Sequence, residues 1–439
     1  MSWRYAVKDL FYIKRCSILF LIFFTVLPIG IVRSQFANGA DVGWLSQMED
    51  EGYVFKDNQG IEKNCLDILK EKGITALRLR VWVNPSNGYC NKKDVAYMAR
   101  RAVSMGFKVL IDFHYSDSWA DPGKQNKPAA WIGHTLTQLL TDIYSHTYNV
   151  LDTLKSLGVV PQWVQIGNEV NDGMLWEDGR ASTHMNNFAE MIKSAYNAVK
   201  AVDSTIQVII HLSNAHDDAM YRWIFDGLKN NGAKWDVIGM SVYPYWENLS
   251  WAVDDSLALI TMKDMITRYH TKIIVCETGY LYNQPIEANH FLLDIIDKTK
   301  SVNGLGVFYW EPECYSWQNY NLGAWDPVTK EPTAALDAFL GKKATYVLPG
   351  KEKLNYDFKI YPNPFNPNTT IEYSLQKSSE TSIEIYNMLG EEVAKLVEGY
   401  IKAGSHKINW SADNIASGIY FCRLISGNFL QTKKMIFLK

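Results

Sequence analysis

Residues 163–172 read WVQIGNEVND, a short apolar run that ends abruptly in an amide and a carboxylate, Asn168 and Glu169. Aromatic and β-branched residues followed by turn-forming residues predict a buried strand that stops at this point. The two polar side chains are then either solvated residues at a strand end or one half of a catalytic pair. The rest of the chain helps to decide between these two interpretations.

Seven further runs of the same kind bring the predicted strands to eight, with starts roughly 30 to 55 residues apart. Amphipathic stretches such as residues 91–106 separate them and have the spacing of a helix. Such alternation predicts parallel strands joined by helical crossovers, and for residues 35–342 it favours a closed (β/α)₈ TIM barrel. An open doubly wound sheet is the alternative, but it usually has a glycine-rich first turn, which is missing here. The seven runs are FANGADVG (36–43), ITALRLRVW (74–82), KVLIDFHY (108–115), QVIIHLS (207–213), VIGMSVYP (237–244), KIIVCETG (272–279) and GLGVFYWEP (304–312).

Polar residues cluster at the carboxyl ends of these predicted strands. In a barrel these ends meet at one mouth, where active sites are built. Strand ends meet solvent in any protein, but the recurrence around the whole barrel favours a site. The residues are Arg80, His114, Asn168, Glu169, Tyr243, Glu277, Trp310 and Glu311.

Glu169 closes the fourth strand and Glu277 the seventh, so the two carboxyl groups are predicted to face each other across the mouth. Cleavage of a glycosidic bond needs such a pair, about 5 to 5.5 Å apart in a retaining enzyme. The Asn168 amide could hydrogen-bond a sugar hydroxyl beside the reacting carbon.

A guanidinium near the nucleophile would keep that carboxyl ionised. Arg78 and Arg80 have the same strand parity, so both are predicted to point into the barrel. Arg80 lies nearer the mouth and is the residue chosen for this role. A purely structural barrel arginine is the alternative.

Seven ordered motifs make residues 39–340 resemble glycoside hydrolase family 53, the arabinogalactan endo-β-1,4-galactanases, which are retaining (β/α)₈ enzymes. The resemblance implies that Glu169 is the acid/base and Glu277 the nucleophile. The motifs are GADVGWLSQMEDEG, RLRVWVNP, DFHYSDSWADPGKQNKPAAW, QIGNE, GMSVYPYW, CETGY and GVFYWEP.

The same resemblance implies a set of substrate-binding residues. Asn168, Tyr243 and Trp310 would line the subsite of the attacked galactose, with Tyr243 positioning the nucleophile and Trp310 forming the sugar floor. His114, Trp119 and Asp121 would also bind substrate.

One departure is Gly43, where the resemblance leads us to expect serine. Some bacterial relatives hold calcium in a loop near the last strands. The segments after Gly279 and Pro312 are poor in acidic ligands, so we expect no metal and no cofactor.

Both ends of the chain lie outside the predicted barrel. Basic residues and then the apolar run 17–32 predict a signal peptide over 1–34. After a linker at 343–356, alternating residues and turn signals over 357–439 predict a small all-β, immunoglobulin-like sandwich. Its sequence resembles the C-terminal sorting domain of type IX secretion, which implies export through an outer membrane. A carbohydrate-binding sandwich is the alternative.

Composition excludes several other classes of protein. A net charge of −3 does not favour binding to nucleic acid. The aromatic content of 13% favours a sugar ligand, because aromatic faces pack against the apolar faces of sugars. The scattered cysteines argue against a disulfide scaffold. We therefore expect a secreted or surface-bound monomer that cleaves galactan or arabinogalactan and uses the type IX machinery for export. The alternatives are a hydrolase of mannan, xylan or glucan, and a non-catalytic glycan-binding protein.

Overall fold

The computed structural model describes residues 36–247, 249–345, 358–375, 378–426 and 429–439. The predicted signal peptide and residues 346–356 of the predicted linker lie outside the described residues. The chain divides into two compact units, Met1–Ala344 and Thr345–Lys439, and each unit is described by itself.

Eight parallel strands of the first unit close into a barrel in sequence order, with β1 beside β8. This architecture confirms the predicted (β/α)₈ barrel, because each of the eight predicted runs contains one strand. The strands are β1 Ala37–Asp41, β2 Ala76–Val81, β3 Lys108–Phe113, β4 Trp163–Ile166, β5 Gln207–Leu212, β6 Val237–Val242, β7 Lys272–Thr278 and β8 Gly306–Trp310.

Helices cover the outside of the barrel, and side chains cap several of their first turns. Asn91 accepts hydrogen bonds from the backbone of Lys93 and Asp94, and Thr135 forms a capping box with Gln138. The helices are α1 Leu45–Asp50, α2 Cys65–Glu71, α3 Lys92–Ser104, α4 Leu136–Ser156, α5 Ala181–Val202, α6 Asp218–Asn230, α7 Pro244–Glu247, α8 Trp251–Tyr269 and α9 Pro285–Ser301, with 3₁₀ turns at Ala129–Trp131 and Ala334–Leu340. No helix among the described residues is long and apolar enough to cross a membrane.

The interior of the barrel is apolar at its amino end and polar at its carboxyl end. The apolar cluster includes Trp163 and Phe308, whose rings meet edge to face at 6.3 Å. A Cβ at Gly39 would lie 2.2 Å from the Phe308 ring, so only glycine fits under it. On β2, Ala76 belongs to this cluster, and Arg78 and Arg80 follow on the same face. Strand parity therefore places both arginines above the apolar layer.

The described residues of the second unit form seven antiparallel strands in two sheets, ordered β13-β10-β9 and β12-β11-β14-β15. Alternate residues of β10, including Ile371 and Tyr373, are buried in one core with residues of the other sheet, such as Ile383 and Leu424. The arrangement confirms the predicted all-β sandwich. The strands are β9 Phe358–Tyr361, β10 Asn368–Leu375, β11 Ser379–Tyr386, β12 Glu392–Ile401, β13 Gly404–Ser411, β14 Gly418–Ser426 and β15 Phe429–Phe437.

Candidate active site

A cavity of about 320 Å³ opens at the carboxyl ends of the barrel strands. Its wall contains eight of the nine site residues predicted from the sequence, and only Arg80 is absent from it. The eight residues are His114, Trp119, Asp121, Asn168, Glu169, Tyr243, Glu277 and Trp310.

Glu277 is buried and held by two donors. Arg78 Nη1 lies 2.8 Å from Glu277 Oε1, and the Tyr243 hydroxyl donates to Oε2 at 3.2 Å. Burial and the charge of Glu169 raise the pKa of Glu277, while the guanidinium opposes this rise. The two donors, one of them a cation, stabilise a negative charge on Glu277.

A β-bulge explains how Glu277 reaches the cavity. Met240 pairs with Val275, but the next residue of β6, Ser241, pairs with Glu277 and skips Cys276. Cys276 packs in the apolar cluster inside the barrel, and the extra residue turns Glu277 towards the same interior. Strict alternation along β7 would have placed only one of these two neighbours inside.

Arg78 is the central cation of the site. Its guanidinium also contacts Asp41 at 2.5 Å, Asp112 at 2.8 Å and the amide oxygen of Asn168 at 2.9 Å. A planar group with several fixed donors can satisfy these acceptors together, which a lysine could not do.

The choice of Arg80 as the cation beside Glu277 is wrong. Arg80 pairs instead with Glu311, and its guanidinium lies 4.4 Å from the ring of Trp119. The two arginines are two residues apart on one strand, so the deeper one reaches Glu277 and the outer one turns towards the end of β8. A Cβ at Gly43 would lie 2.3 Å from Arg80 Nη1, so this glycine suits the observed position of the guanidinium.

Glu169 is half-buried, with a backbone φ of +44°, a strained value for a residue other than glycine. Its Oε1 accepts a hydrogen bond from Ser241 Oγ at 2.7 Å. The ion pairs found among the described residues do not include Glu169. Burial raises the pKa of Glu169 to about 7, so its carboxyl group can carry a proton near neutral pH.

The Asn168 amide is fixed on both sides. Its Oδ1 faces Arg78 Nη2, and its Nδ2 donates to the carbonyl oxygen of Ala120 at 2.9 Å. An amide nitrogen carries two hydrogens, which leaves one for a ligand in the cavity.

Both ring nitrogens of His114 have hydrogen-bond partners within the protein. Its Nδ1 accepts from the backbone N–H of Ala120 at 3.1 Å, and its Nε2 lies 2.9 Å from Asp112. The ring therefore holds the loop after β3, which brings Trp119 and Asp121 to the cavity wall. In this arrangement neither ring nitrogen is available to a sugar hydroxyl.

Trp310 and Trp119 supply the apolar faces of the cavity, and their ring centroids lie 5.9 Å apart. Trp44 packs behind them, 5.0 Å from Trp310, and its backbone N–H donates to Glu311 Oε2 at 3.1 Å. The aromatic wall is thus tied to the Arg80–Glu311 pair.

Behind that pair lies a completely buried carboxyl group, Glu313. Among the described residues, Glu311, Glu313 and Cys314 form one group whose potential ligand atoms all lie within 4.8 Å of each other. Glu311 already accepts from Arg80 and Trp44, whereas the side-chain oxygens of Glu313 find no donor. Burial and the adjacent Glu311 raise the pKa of Glu313 well above its ordinary value. A raised pKa allows Glu313 to hold a proton that it can donate to Glu311.

Sequence reasoning missed three buried polar residues around the pair, namely Arg78 as the partner of Glu277, and Ser241 and His211 near Glu169. Each is a polar residue within a largely apolar strand. The direction in which these side chains point cannot be predicted from the sequence.

A closed parallel barrel with paired glutamates in an aromatic cavity at its mouth is the structure of a glycoside hydrolase. Residues 37–343 match the model of glycosyl hydrolase family 53, and the chain belongs to this family. Residues 359–438 match the secretion system C-terminal sorting domain, which indicates an exported enzyme, secreted or at the cell surface.

Individual relatives agree with this assignment. An arabinogalactan endo-β-1,4-galactanase of Cellvibrio japonicus is 32% identical over 72% of this chain and 92% of its own. The solved family 53 catalytic domain of Ignisphaera aggregans superposes with a TM-score of 0.63 at 32% identity, covering 71% of this chain and 98% of that one. A structure from a study of two fungal β-1,4-galactanases gives 0.65 at 28% identity, over 70% and 99%.

Proposed function

We propose that this protein is an endo-acting, retaining hydrolase of β-1,4-galactosidic bonds in the galactan and arabinogalactan side chains of pectin. The observation that supports this most strongly is the asymmetry of the two glutamates. Glu277 is held by a guanidinium and a phenol, whereas Glu169 has only a neutral hydroxyl as its hydrogen-bond partner. One is suited to attack as an anion and the other to give a proton.

In the first step, a carboxylate oxygen of Glu277 bonds to the anomeric carbon while the glycosidic C–O bond breaks. The leaving oxygen takes the proton of Glu169, so the departing sugar leaves as an alcohol. In the second step, the Glu169 carboxylate takes a proton from water as that water attacks the anomeric carbon. The ester bond to Glu277 breaks, and both glutamates return to their initial states with net retention.

The other predicted residues bind and orient the galactose. The remaining Asn168 N–H donates to the hydroxyl beside the anomeric carbon, and Trp310 provides the floor under the ring. Tyr243 positions Glu277, Trp119 and Asp121 lie on the cavity wall, and His114 fixes their loop. These roles require neither a cofactor nor a metal ion.

We further propose four segments along the chain: a signal peptide at 1–34, the catalytic barrel at 35–342, a linker at 343–356 and the sorting sandwich at 357–439. The protein would act as a monomer, would bind no nucleic acid, and would reach the cell exterior by type IX secretion. The match of the second unit to a sorting domain supports the export route.

The function is tested by measuring release of reducing ends from galactan, arabinogalactan, mannan, xylan and a β-glucan. Wild type is compared with Glu169→Gln and Glu277→Gln. We expect release from the galactans only, with a loss of at least a hundredfold in both variants. Equal or greater release from another polymer would refute the galactan assignment. Binding without turnover by folded wild type would favour a glycan-binding protein.

A further inference from the structure

Two buried polar residues behind Glu169 have no part in the mechanism above. Ser241 on β6 and His211 on β5 are 1% and 0% exposed. Ser241 Oγ lies 2.7 Å from Glu169 Oε1, and His211 Nε2 lies 2.8 Å from the same hydroxyl oxygen. The three groups form a continuous chain that ends on the carboxyl group.

The direction of this chain follows from the donors that are available. His211 Nδ1 lies 3.1 Å from Gln165 Nε2, whose amide is oriented by a hydrogen bond from Arg78 Nε to its oxygen at 3.2 Å. Gln165 Nε2 can only donate, whereas Asn168 Oδ1, which also lies 3.1 Å from His211 Nδ1, can only accept. Asn168 Oδ1 already accepts from Arg78 Nη2 at 2.9 Å and from Gln165 Nε2 at 3.0 Å, so both of its lone pairs are occupied. We therefore assign Nδ1 as an acceptor and the ring hydrogen to Nε2. Burial and Arg78 lower the pKa of His211 well below its ordinary value, so the ring is neutral.

With its hydrogen on Nε2, His211 donates to Ser241. The serine oxygen is then an acceptor, and its own hydrogen is directed to Glu169 Oε1. A hydroxyl makes one such donation only, and a carboxylate is the strongest acceptor within its reach.

We propose that Ser241, held by His211, is a positioning residue that occupies Oε1 of Glu169 and leaves Oε2 to carry the transferred proton. This inference rests on the proposed function, because it assumes that Glu169 is the acid/base. In the first step the arrangement fixes which oxygen gives the proton. In the second step the same hydroxyl stabilises the carboxylate that activates water.

The effect of Ser241 must be separated from other groups that act on Glu169. Replacing Ser241 leaves their charges unchanged, so the donated hydrogen bond is the principal difference between the variant and wild type. Those groups are Arg78 on β2, Asp112 on β3, His114 and Asp121 after β3, His211 on β5, Tyr221 on α6, Tyr243 after β6 and Glu277 on β7.

The test is the pH dependence of kcat/KM on galactan for Ser241→Ala. Loss of a hydrogen bond to the carboxylate should raise its pKa, so the basic limb should move up by about one pH unit. We also expect kcat to fall about tenfold with little change in KM, because the carboxyl group loses its fixed orientation. A basic limb at the wild-type position would overturn the proposal.

Two further variants keep the test decisive. Ser241→Cys retains a weaker donor of similar size, so its basic limb should move up by less than that of Ser241→Ala. This variant provides the test if Ser241→Ala does not fold. Ser213→Ala is the matched control: Ser213 is also a buried serine beside the cavity, but it bonds to Asn171 and Asn214, and its loss should leave the basic limb in place.

Failure of the inference and failure of the proposed function give different results. If Glu169→Gln keeps wild-type activity on galactan, Glu169 is not the acid/base and the proposed function fails. If Glu169→Gln is inactive but Ser241→Ala and Ser241→Cys keep the wild-type limb, only the inference fails. The ¹⁵N shifts of His211 give a direct readout: protonation at Nδ1 would reverse the chain and contradict the proposal.

Discussion

Arg78 Nη1 lies 2.8 Å from Oε1 of Glu277, and both side chains are almost completely inaccessible to solvent. The same guanidinium contacts two aspartates and the oxygen of Asn168. A single buried cation therefore sets both the charge of the nucleophile and the orientation of the amide next to the acid/base. The two halves of the site depend on each other through this residue.

Replacing Arg78 by lysine should damage activity and stability together. Lysine keeps the charge but cannot donate to several acceptors in one plane, and buried carboxylates are left without donors. We expect kcat on galactan to fall by about 10² to 10³, and the free energy of unfolding of the barrel to fall by about 3 to 5 kcal/mol. Arg101→Lys, at a more exposed pair with Glu49, is the control. Wild-type turnover by Arg78→Lys would contradict the assigned role.

Activity should depend on pH through the shared proton of the glutamate pair. The pair titrates as a unit, and the active form carries one proton, on Glu169. The pKa values of the two carboxyl groups are raised to about 7 and about 8, so the shared proton is lost and kcat/KM should fall as pH rises through this range. On a dinitrophenyl β-galactobioside, whose leaving group needs no acid, Glu169→Gln should lose the basic limb of its glycosylation step. A basic limb retained at the same pH in this variant would assign it to another group.

Because Glu313 is buried and protonated, it should make the free energy of unfolding fall as pH rises. Its pKa is raised by folding, so its contribution is complete below the unfolded value of about 4.3 and is lost as pH rises towards the folded value. Glu313→Gln has no such loss. Its free energy of unfolding should therefore improve relative to wild type as pH rises above the unfolded pKa of about 4.3, by up to about 1.4 kcal/mol per pH unit.

The control for this experiment is Glu51→Gln, at an exposed glutamate, whose stability difference from wild type should stay flat over the same range. If the free energies of unfolding of Glu313→Gln and wild type changed with pH in parallel, Glu313 would not be held neutral. A stoichiometric metal ion that is lost from the Glu313 variant would likewise contradict the shared-proton interpretation.

Trp310 should contribute to transition-state binding through the sugar face. It lies on the cavity wall and is supported by Trp44 and Tyr320, with centroid distances of 5.0 and 4.7 Å. Loss of this apolar face in Trp310→Ala should remove on the order of 2 kcal/mol, or about 30-fold in kcat/KM on galactan. Trp223→Ala, at an exposed tryptophan of α6, should keep wild-type kinetics. If the two substitutions lowered kcat/KM equally, Trp310 would make no specific contact with the sugar.

The barrel could be predicted because its evidence is local. Each strand is a short apolar run, each helix has its own periodicity, and alternation of the two permits few topologies. The position of the site followed from the same pattern, since the carboxyl ends of parallel strands meet at one mouth. The sequence pattern therefore predicts Glu169 and Glu277 as the carboxyl pair at this mouth.

Side-chain direction could not be predicted in the same way. Arg78 and Arg80 have identical parity, and only their depth in the barrel decides which one reaches Glu277. The bulge before Glu277 breaks the alternation of β7, and its cause lies in the pairing with β6. Ser241 and His211 are polar residues in largely apolar strands, and only the three-dimensional structure shows that both act on Glu169.

The most direct test of the central claim is chemical rescue by azide with the dinitrophenyl β-galactobioside. For Glu169→Ala, azide should restore turnover and yield the β-glycosyl azide, because it attacks the intermediate on Glu277 from the face normally used by water. For Glu277→Ala, azide should attack the substrate directly and yield the α-glycosyl azide. If Glu169→Ala gave the α-azide and Glu277→Ala the β-azide, Glu169 would be the nucleophile and Glu277 the acid/base. Wild-type turnover by either variant without azide would show that the replaced glutamate is not catalytic.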